Sequence, residues 1–391
     1  MKLLEALAIL AALGFAGRSM QLVAGSGETV IPAEEAPENL PFLSVAIPAR
    51  NEERQIERCI RSLLAQTYPR FEIVAVDDRS DDSTLAILER LAATEPRLRV
   101  VRGEPLPAGW VGKPWALAQA ARRARGDWLL CTDADTAHAP RACAVSVDFA
   151  RRRGLDILSL LGTQELRTSP ERAILPSILW SIALAVGPLE HVNDPHKAGA
   201  ALFNGQYILF RRSAYDALGG HGAVRGEVAE DYEFARLVKA DGRFRAMLAN
   251  AEALFTTRMY RSFGEIWRGF AKNLYLGVRE DPPALVAGVA FFAFIAPLPE
   301  LLFLRALRDG RVGAAASMAV TIAVTAAAAE LGMRKVSLPR GSGLYLPLGI
   351  TVMLGILLDS TLRHTTGRGV RWRGRRYGRR DAGSPETSSP L

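Results

Sequence analysis

Short apolar runs alternate with segments of helical periodicity between residues 41 and 281. The apolar runs are typical of buried strands, and they predict strands at Phe42–Pro48, Phe71–Val76, Leu98–Val101 and Trp128–Cys131. The periodic segments predict helices at Glu52–Gln66, Asp82–Ala93, Trp115–Arg125 and Asp231–Ala240. This alternation predicts an α/β fold, in which a mostly parallel sheet is covered by helices on both faces.

Longer apolar stretches lie at both ends of the chain. Leu3–Gly17, continuing to Ala24, is either a membrane anchor or a cleaved signal sequence, and the lack of a strongly basic start favours an anchor. Near the C-terminus, Pro282–Leu304, Val312–Ala329 and Gly341–Leu358 each approach the roughly 20 apolar residues that cross a bilayer. Short Arg-containing loops separate these three stretches, which favours membrane helices over buried helices of a soluble protein.

Two further segments have the character of buried or interfacial helices. Ile174–Leu189 is uncharged but short for a membrane span, so we expect it to be buried or to lie at the membrane surface. Phe263–Leu274 has an apolar stripe with Arg268 and Lys272 outside it. Core packing explains such a stripe, but aromatic residues beside basic ones also suit a helix at the bilayer surface.

The chain therefore divides into five predicted segments. A membrane anchor covers 1–24, and a linker rich in Gly, Pro and Glu covers 25–40. The α/β domain with its interfacial helices covers 41–281. C-terminal membrane helices cover 282–362, and a basic tail covers 363–391.

The net charge of +8 is confined to the basic tail. Residues 363–380 contain eight Arg and no acidic residue, so the rest of the chain is neutral in sum. This distribution favours contact with an anionic membrane surface over nucleic-acid binding. The three cysteines include no C-x-x-C pair and the five histidines no H-E-x-x-H motif, which disfavours a disulfide framework and a zinc site.

Polar side chains gather where the first two predicted strands end. The first strand ends at Pro48, with Arg50 and Glu52 beyond it, and the second is followed by Asp77 and Asp78. Ligands of open α/β sheets bind at the carboxyl ends of the strands. These side chains are therefore candidates for holding a base edge, ribose hydroxyls or a divalent cation.

Asp133 and Asp135 follow the fourth predicted strand directly. Residues two apart on an extended chain share one face, so the two carboxylates can act as a pair. Such a pair supplies the hard oxygen ligands that Mg²⁺ or Mn²⁺ uses when it holds a diphosphate. The alternative is a solvated turn in which an Asp caps the next helix. The position at a strand end favours the metal site.

Two motifs at predicted helix starts carry further candidates. Lys113 opens a helix, where its charge opposes the helix dipole, so we expect an anionic partner rather than a merely exposed Lys. Glu230 and Asp231 open another helix after a Gly-rich loop. The dipole alone favours acids there, and the functional alternative is a general base that takes a proton from an incoming hydroxyl.

The order of these motifs resembles that of the family 2 glycosyltransferases, which have the GT-A fold. The matching segments are Ser44–Glu52, Val76–Ser80, Asp133–Asp135 and Glu230-Asp231. Arg258–Ser262 is similar to the family's Q/R-x-x-R-W motif but has Ser262 where Trp is usual, which argues against a processive polysaccharide synthase. The resemblance implies that 41–281 is a GT-A domain that binds a nucleotide sugar.

A narrower resemblance covers four other segments. Leu106–Lys113, His221–Lys239, Met259–Tyr275 and Val370–Tyr377 look like parts of membrane enzymes that glycosylate apolar lipids. These are the ceramide glucosyltransferase-like, carotenoid glycosyltransferase and hopanoid-associated groups. The resemblance implies sugar transfer from a nucleotide-diphosphate sugar, with a UDP-sugar expected, to a hydroxyl of an apolar membrane lipid.

The resemblance also implies a role for each candidate residue in a single inverting displacement. Asp231, next to Glu230, is the expected catalytic base, and Asp133 with Asp135 is expected to hold Mg²⁺ or Mn²⁺. Asp77 or Asp78, together with Glu52, is expected to contact the nucleoside. The full set of expected donor-binding residues is Pro48, Arg50, Glu52, Asp77, Asp78, Lys113, Asp133, Arg258 and Arg261.

The expected location of the protein follows from its donor substrate. Nucleotide sugars occur in the cytoplasm, so we expect a multi-pass protein of the cell inner membrane with a cytoplasmic catalytic domain. The positive-inside tendency then favours a re-entrant or interfacial Pro282–Leu304, which returns the basic tail to the cytoplasm. A polyprenyl-phosphate acceptor is the main alternative. A sugar nucleotidyltransferase is a weaker alternative, since no Gly-rich loop follows the first strand, and the presence of Asp133, Asp135 and Asp231 argues against a catalytically dead membrane scaffold.

Overall fold

The computed structural model describes residues 2–25, 27–31, 39–275, 282–336, 338–366, 370–372 and 375–377. These residues form two compact units. The sheet unit contains the described residues of 27–165 and 189–259. The helical unit contains those of 1–26, 166–188 and 260–378. Each of the five predicted segments is one continuous stretch of the chain. The helical unit instead combines separate stretches, because 166–188 and 260–275 belong to it together with the terminal helices.

The elements are numbered along the chain. The helices are α1 Lys2–Ala24, α2 Ile56–Leu64, α3 Thr84–Ala92, α4 Gly112–Arg123, α5 Ala142–Arg152, α6 Ser169–Val186, α7 Leu189–Asn193, α8 Arg212–Ala217, α9 Glu230–Asp241, α10 Phe263–Asn273, α11 Pro282–Ile295, α12 Leu298–Arg308, α13 Val312–Lys335 and α14 Leu346–Thr365. The strands are β1 Leu43–Ala49, β2 Phe71–Asp77, β3 Leu98–Arg102, β4 Trp128–Thr132, β5 Thr136–His138, β6 Ile157–Leu161, β7 Thr163–Gln164, β8 Tyr207–Arg211, β9 Ala246–Asn250, β10 Phe255–Thr257, β11 Val370–Trp372 and β12 Arg375–Tyr377.

A seven-stranded sheet with the order β3-β2-β1-β4-β8-β6-β9 forms the centre of the sheet unit. The four predicted strands are present as β1 to β4, and they run parallel to one another. β8 runs antiparallel to both of its neighbours, β4 and β6. The predicted α/β fold is therefore confirmed, with a mixed sheet. Because of this reversal, the start of β8 lies at the same edge as the ends of β1 to β4.

The sheet is buried on both faces. Leu43, Val45 and Ile47 of β1 lie in the apolar core on one face. Ala46 of β1 and Val74 of β2 lie in the core on the opposite face. Successive side chains of a strand point to opposite faces, so a strand between two helical layers is apolar at nearly every position. This explains why β1 and β2 are continuous apolar runs in the sequence.

The observed helices differ from the predicted ones at their starts. α2 begins at Ile56 instead of Glu52, because the chain first makes a turn in which Asn51 has a φ of 54°. α3 begins at Thr84, and Asp82 lies before it, where its Oδ1 accepts a hydrogen bond from the Thr84 backbone N–H. α4 begins at Gly112 and so includes Lys113 in its first turn.

Four helices of the helical unit are long and apolar enough to cross a membrane. They are Lys2–Ala24, Leu285–Arg308, Val312–Lys335 and Ser342–Thr365. The second comprises α11 and α12, which are separated by a break at Ala296 and Pro297. Proline removes a backbone donor and clashes with the preceding turn, which accounts for the break. That this segment is re-entrant or interfacial stays a prediction.

The segment Ile174–Leu189 is mostly part of α6, whose side chains are largely buried within the helical unit. Trp180 of α6 packs closely on Gly332 of α13, where an added Cβ would lie 2.0 Å from the indole ring. At the other end of the unit, Arg363 pairs with Asp359 at 2.7 Å. Four other Arg of the basic tail lie outside the described residues, namely Arg368, Arg373, Arg379 and Arg380.

Candidate active site

The predicted catalytic and metal residues meet at one point of the sheet unit. Lys113 Nζ lies 2.8 Å from Asp133 Oδ1 and 2.7 Å from Glu230 Oε1. Asp231 lies beside this cluster, since its Oδ2 accepts a 2.9 Å hydrogen bond from the backbone N–H of Gly205. The Gly205 carbonyl in turn accepts from Lys113 Nζ at 3.5 Å. Residues up to 118 positions apart in the sequence thus form one constellation.

Three elements bring these side chains together. Asp133 directly follows β4, Lys113 lies in the first turn of α4, and Glu230 and Asp231 open α9. Gly205 lies just before β8, whose antiparallel direction brings its start to the end of β4. The predicted anionic partner of Lys113 is therefore present as two carboxylates of the protein itself. Their charge offsets the unfavourable position of an ammonium at a helix N-terminus.

Burial and neighbouring charges shift the proton affinity of these groups. Burial raises the pKa of Asp231 to about 6, and the charge of Glu230 adds to the effect while Lys113 opposes it. Burial likewise raises the pKa of Asp133 to about 6 against the opposing charge of Lys113. Burial disfavours the Lys113 ammonium, but Asp133, Glu230 and Asp231 outweigh this and hold its pKa well above the usual value.

A buried network supports the turn that carries Asp133. The Thr136 hydroxyl donates to the Asp133 carbonyl at 2.7 Å, and the Thr132 hydroxyl donates to the Gln206 carbonyl at 2.7 Å. Nε2 of His138 lies 3.0 Å from the Thr136 hydroxyl. Burial lowers the pKa of His138 to about 3, so this ring is neutral at physiological pH. The network fixes the turn after β4 to the start of β8.

Asp133 and Asp135 supply carboxylate oxygens of the kind that a divalent cation shared with a diphosphate would use. Mg²⁺ is usually bound through one or two carboxylates plus phosphate oxygens and water. Among the described residues, no group of three or more His, Cys, Asp or Glu side chains is arranged to enclose a metal ion. The two carboxylates therefore suit a cation whose remaining ligands come with the donor. Thr257 Oγ1 also donates to Asp135 Oδ1 at 3.4 Å.

The loops after β1 and β2 are joined by several hydrogen bonds. Nη1 of Arg50 donates to the carbonyl of Asp78 at 2.6 Å, and the backbone N–H of Asp78 donates to the carbonyl of Ala49 at 2.7 Å. The Glu52 backbone N–H donates to the Thr84 hydroxyl at 2.8 Å. The side chain of Arg50 therefore braces the loop, while Pro48 lies within β1.

Asp77 has an acceptor atom that the protein leaves unused. Its side chain is 3% exposed, and Oδ2 accepts from the Ser80 backbone N–H at 3.2 Å. Oδ1 is buried and has no hydrogen-bond partner among the residues that the structure describes. A buried polar atom without a partner is unfavourable, so an incoming donor group at this strand end would be stabilising. Among the nucleoside candidates, Asp77 therefore has the clearest structural support.

The two arginines of the R-x-x-R segment lie in different units. Arg258 follows β10 in the sheet unit, and its backbone N–H donates to the Asp135 carbonyl at 3.4 Å. Arg261 lies in the helical unit, where its backbone N–H donates to Glu265 Oε2 at 2.8 Å. The structure thus brings Arg258 to the metal-site turn, and the donor-binding role of Arg261 stays a prediction.

Ser262, which stands where the related motif has Trp, has a structural role of its own. It is the N-cap of α10, and its hydroxyl accepts a hydrogen bond from the Glu265 backbone N–H at 3.3 Å. Serine is among the preferred residues at this position because its oxygen satisfies an otherwise unpaired backbone donor. The departure from the motif therefore coincides with a helix start.

Gly205 is the site residue that the sequence analysis missed. An added Cβ would lie 2.9 Å from Asp231 Oδ2 and 3.0 Å from Lys113 Nζ, so the cluster leaves no room for a side chain. The Asn204-Gly205 dipeptide before an apolar run marks a turn. That signal locates the turn, but it does not reveal that the glycine contacts residues 113 and 231.

The chain is similar in sequence to known glycosyltransferases. Residues 44–218 match the family model described as glycosyl transferase family 2. The chain is 26% identical over 256 residues to 4,4'-diaponeurosporenoate glycosyltransferase of Staphylococcus haemolyticus, covering 64% of this chain and 65% of that protein. It is 28% identical over 184 residues to β-monoglucosyldiacylglycerol synthase of Trichormus variabilis, covering 46% of this chain and 38% of that protein. The chain thus spans less than two thirds of each relative.

A solved structure has a similar fold over nearly the whole chain. It is the mannosyltransferase PcManGT from Pyrobaculum calidifontis, in complex with GDP-Man and Mn²⁺. The TM-score is 0.53 at 22% identity, and the match covers 92% of this chain and 98% of that one. At this level of identity, the likeness concerns the fold.

Proposed function

Because residues 44–218 match the model of glycosyl transferase family 2 and the fold resembles that of a solved mannosyltransferase, we propose that the protein is a family 2 glycosyltransferase that transfers a sugar from a nucleotide-diphosphate sugar to a hydroxyl of an apolar membrane lipid. The observation that carries this proposal is the cluster of Asp133, Lys113, Glu230 and Asp231 at the carboxyl ends of the strands. It combines a cation site with a buried carboxylate of raised pKa, which acts as the base.

The donor occupies the edge formed by the ends of β1, β2 and β4. Asp77 accepts a hydrogen bond from the nucleoside through its unused Oδ1, with Glu52 and Asp78 nearby in the same loops. Asp133 and Asp135 hold Mg²⁺ or Mn²⁺, which supplies positive charge that stabilises the diphosphate leaving group. Lys113 adds a cationic side chain beside Asp133, and the backbone of Arg258 contacts the same turn at Asp135. We expect a UDP-sugar as the donor.

Asp231 activates the acceptor. The acceptor oxygen forms a bond to the anomeric carbon as the bond from that carbon to the diphosphate oxygen breaks, and the hydroxyl proton passes to Asp231. One displacement of this kind inverts the anomeric configuration. The backbone N–H groups of Gly205 and Tyr232 hold the two oxygens of Asp231, each at 2.9 Å, and so fix its orientation. Its raised pKa suits a group that takes up a proton near neutral pH.

The acceptor class is inferred from the helices and the relatives. Within the described part of the chain, four helices are long and apolar enough to cross a membrane. The two relatives are named for glycosylating diaponeurosporenoate and for making monoglucosyldiacylglycerol. A hopanoid, carotenoid or ceramide-like lipid is therefore the proposed acceptor. We propose that the protein is a multi-pass enzyme of the inner membrane with a cytoplasmic catalytic domain.

Labelled donor and cell membranes test this proposal. Membranes that contain the protein are incubated with a radiolabelled UDP-sugar, and the labelled lipid is extracted and treated with mild acid. We expect an acid-stable neutral glycolipid that is absent from membranes containing the Asp231→Asn variant. An acid-labile product would indicate a polyprenyl-phosphate acceptor and overturn the apolar-lipid assignment. Release of free sugar without a labelled lipid would argue against transfer altogether.

A further inference from the structure

The Lys113 ammonium uses all three of its hydrogen-bond donors within the protein. Its partners are Asp133 Oδ1 at 2.8 Å, Glu230 Oε1 at 2.7 Å and the Gly205 carbonyl at 3.5 Å. Lys113 and Asp133 keep 31% and 27% of their side chains exposed, whereas Glu230 keeps 7%. The contact with Asp133 is therefore open to solvent, and the contact with Glu230 is enclosed.

This arrangement conflicts with a cation on Asp133. Mg²⁺ lies about 2.0–2.1 Å from a carboxylate oxygen, so a cation on Asp133 Oδ1 would lie within a few ångströms of the ammonium. Like charges at such a distance repel strongly in a partly buried site. The cation and the present position of Lys113 therefore exclude each other, unless an anion enters between them.

The donor diphosphate is an anion of the required kind. It carries oxygens that can accept from Lys113 and coordinate the cation at the same time. Glu230 Oε1 lies 2.7 Å from the ammonium, and this carboxylate keeps only 7% of its side chain exposed, so its contact is separate from the solvent-facing one that the diphosphate would replace. Lys113 can thus turn from Asp133 to the diphosphate while it remains attached to Glu230.

We propose that Lys113 occupies the place of the cation at Asp133 in the free protein, so that the divalent cation and the nucleotide diphosphate bind together rather than separately. This inference rests on the proposed function, because it assumes the cation site at Asp133 and Asp135. Glu230 then acts as a positioning residue that keeps Lys113 within reach of both partners. Gly205 contributes by leaving room for the ammonium, since an added Cβ would lie 3.0 Å from Nζ.

Calorimetric titration of the full-length protein in detergent tests the inference. Mn²⁺ is titrated alone and in the presence of UDP into the native protein and the Lys113→Met variant. In the native protein, we expect UDP to tighten Mn²⁺ binding by about tenfold or more. In Lys113→Met, we expect Mn²⁺ alone to bind about tenfold more tightly than in the native protein and the effect of UDP to shrink.

Two further variants separate charge from folding. Lys113→Arg retains a cation beside Asp133, so we expect Mn²⁺ alone to bind as weakly as in the native protein. Lys197→Met removes the same charge from an exposed position of the sheet unit, and we expect it to change neither titration. Thermal unfolding of each variant establishes that it is folded under the conditions of the titration.

The outcomes distinguish this inference from the proposed function. One outcome is that Mn²⁺ alone binds equally to the native protein and to Lys113→Met, while UDP still increases the affinity for Mn²⁺. This result would refute the role of Lys113 and would support the cation site of the proposed function. If Mn²⁺ fails to bind the native protein even with UDP, the cation site of the proposed function is refuted, and the inference fails with it.

Discussion

Glu230 and Asp231 are adjacent in the sequence, but their side chains meet different partners. Glu230 contacts the Lys113 ammonium, whereas Asp231 is held by the backbone N–H groups of Gly205 and Tyr232. The ammonium balances the charge of Glu230 directly. Burial and the neighbouring Glu230 raise the pKa of Asp231, which prepares it to accept a proton. One pair of acids at one helix start thus supports two roles.

The Asp231→Asn variant tests the role of the base. An amide of similar size preserves the shape of the site but cannot accept the acceptor proton, so we expect turnover to fall by roughly 10²–10⁴-fold. Affinity for UDP, measured by calorimetry, is expected to stay near the native value. Asp241→Asn, at the other end of α9, is the matched control and is expected to leave turnover unchanged. Undiminished turnover in Asp231→Asn would remove Asp231 from the base role.

The raised pKa of Asp231 predicts how activity depends on pH. The base form is the deprotonated carboxylate, so it is lost as the pH falls through about 6. Below that value, we expect turnover at saturating donor to decrease by about tenfold per pH unit. Glu230 and Lys113 are the charged groups that act on Asp231 and set this midpoint. Turnover that stays constant down to pH 5 would contradict the assignment.

The antiparallel direction of β8 brings the segment before this strand, including Gly205, to the site. The strand pairs with β4 over Tyr207–Arg211, and the segment before it therefore passes between the end of β4 and the start of α9. A parallel strand in this position would bring its other end to the site. Gly205 then contributes its N–H to Asp231 and its carbonyl to Lys113. The close approach of backbone to side chains explains why this position holds glycine.

The Gly205→Ala variant tests this close approach. The new Cβ would meet Asp231 Oδ2 at 2.9 Å and Lys113 Nζ at 3.0 Å, so both side chains have to move. A misplacement of about 1 Å in a catalytic group lowers rates by on the order of 10²-fold, so we expect turnover to fall by up to that factor. Gly199→Ala adds the same methyl group where nothing lies within 4 Å, so it is expected to retain turnover. Equal turnover in both variants would refute the positioning role of Gly205.

The charge distribution bears on the topology of the whole molecule. Arg308 is the last residue of α12, Arg311 lies in the loop that follows, and the Arg-rich tail follows α14. The proposed cytoplasmic catalytic domain and three full C-terminal crossings would place the loop and the tail outside, against the positive-inside tendency. α11 and α12 are each too short to cross a bilayer by themselves, and the break at Pro297 allows the pair to turn back. A re-entrant pair keeps both Arg-rich segments in the cytoplasm.

A reporter fused after Tyr377 tests this topology. We expect the reporter to be cytoplasmic, as judged by the activity of an enzyme that folds only on one side of the membrane. A second fusion in the loop after α13, which is then expected outside, is the control for the assay. A reporter after Tyr377 that is found outside would refute the re-entrant interpretation and favour three full crossings.

The sequence by itself determined four strands of the central sheet, the long apolar helices and most of the candidate residues. β1 to β4 were predicted to within two residues, because a continuous apolar run depends only on the residues of the strand and on burial of both faces. The pairs Asp133–Asp135 and Glu230–Asp231 are visible because their members are close in sequence. The need of Lys113 for an anionic partner also follows locally, from its place at a helix start.

Only the tertiary structure decided which distant segments meet. The reversal of β8, the contact of Gly205 with Asp231, and the pairing of Lys113 with Glu230 join residues that lie 26 to 117 positions apart. The grouping of α6 and α10 with the terminal helices is of the same kind. Hydrophobic periodicity reports which side of an element is buried but not which partner buries it. Those partners are selected by the packing and polar pairing of the whole chain, and they turn separate motifs into a single site.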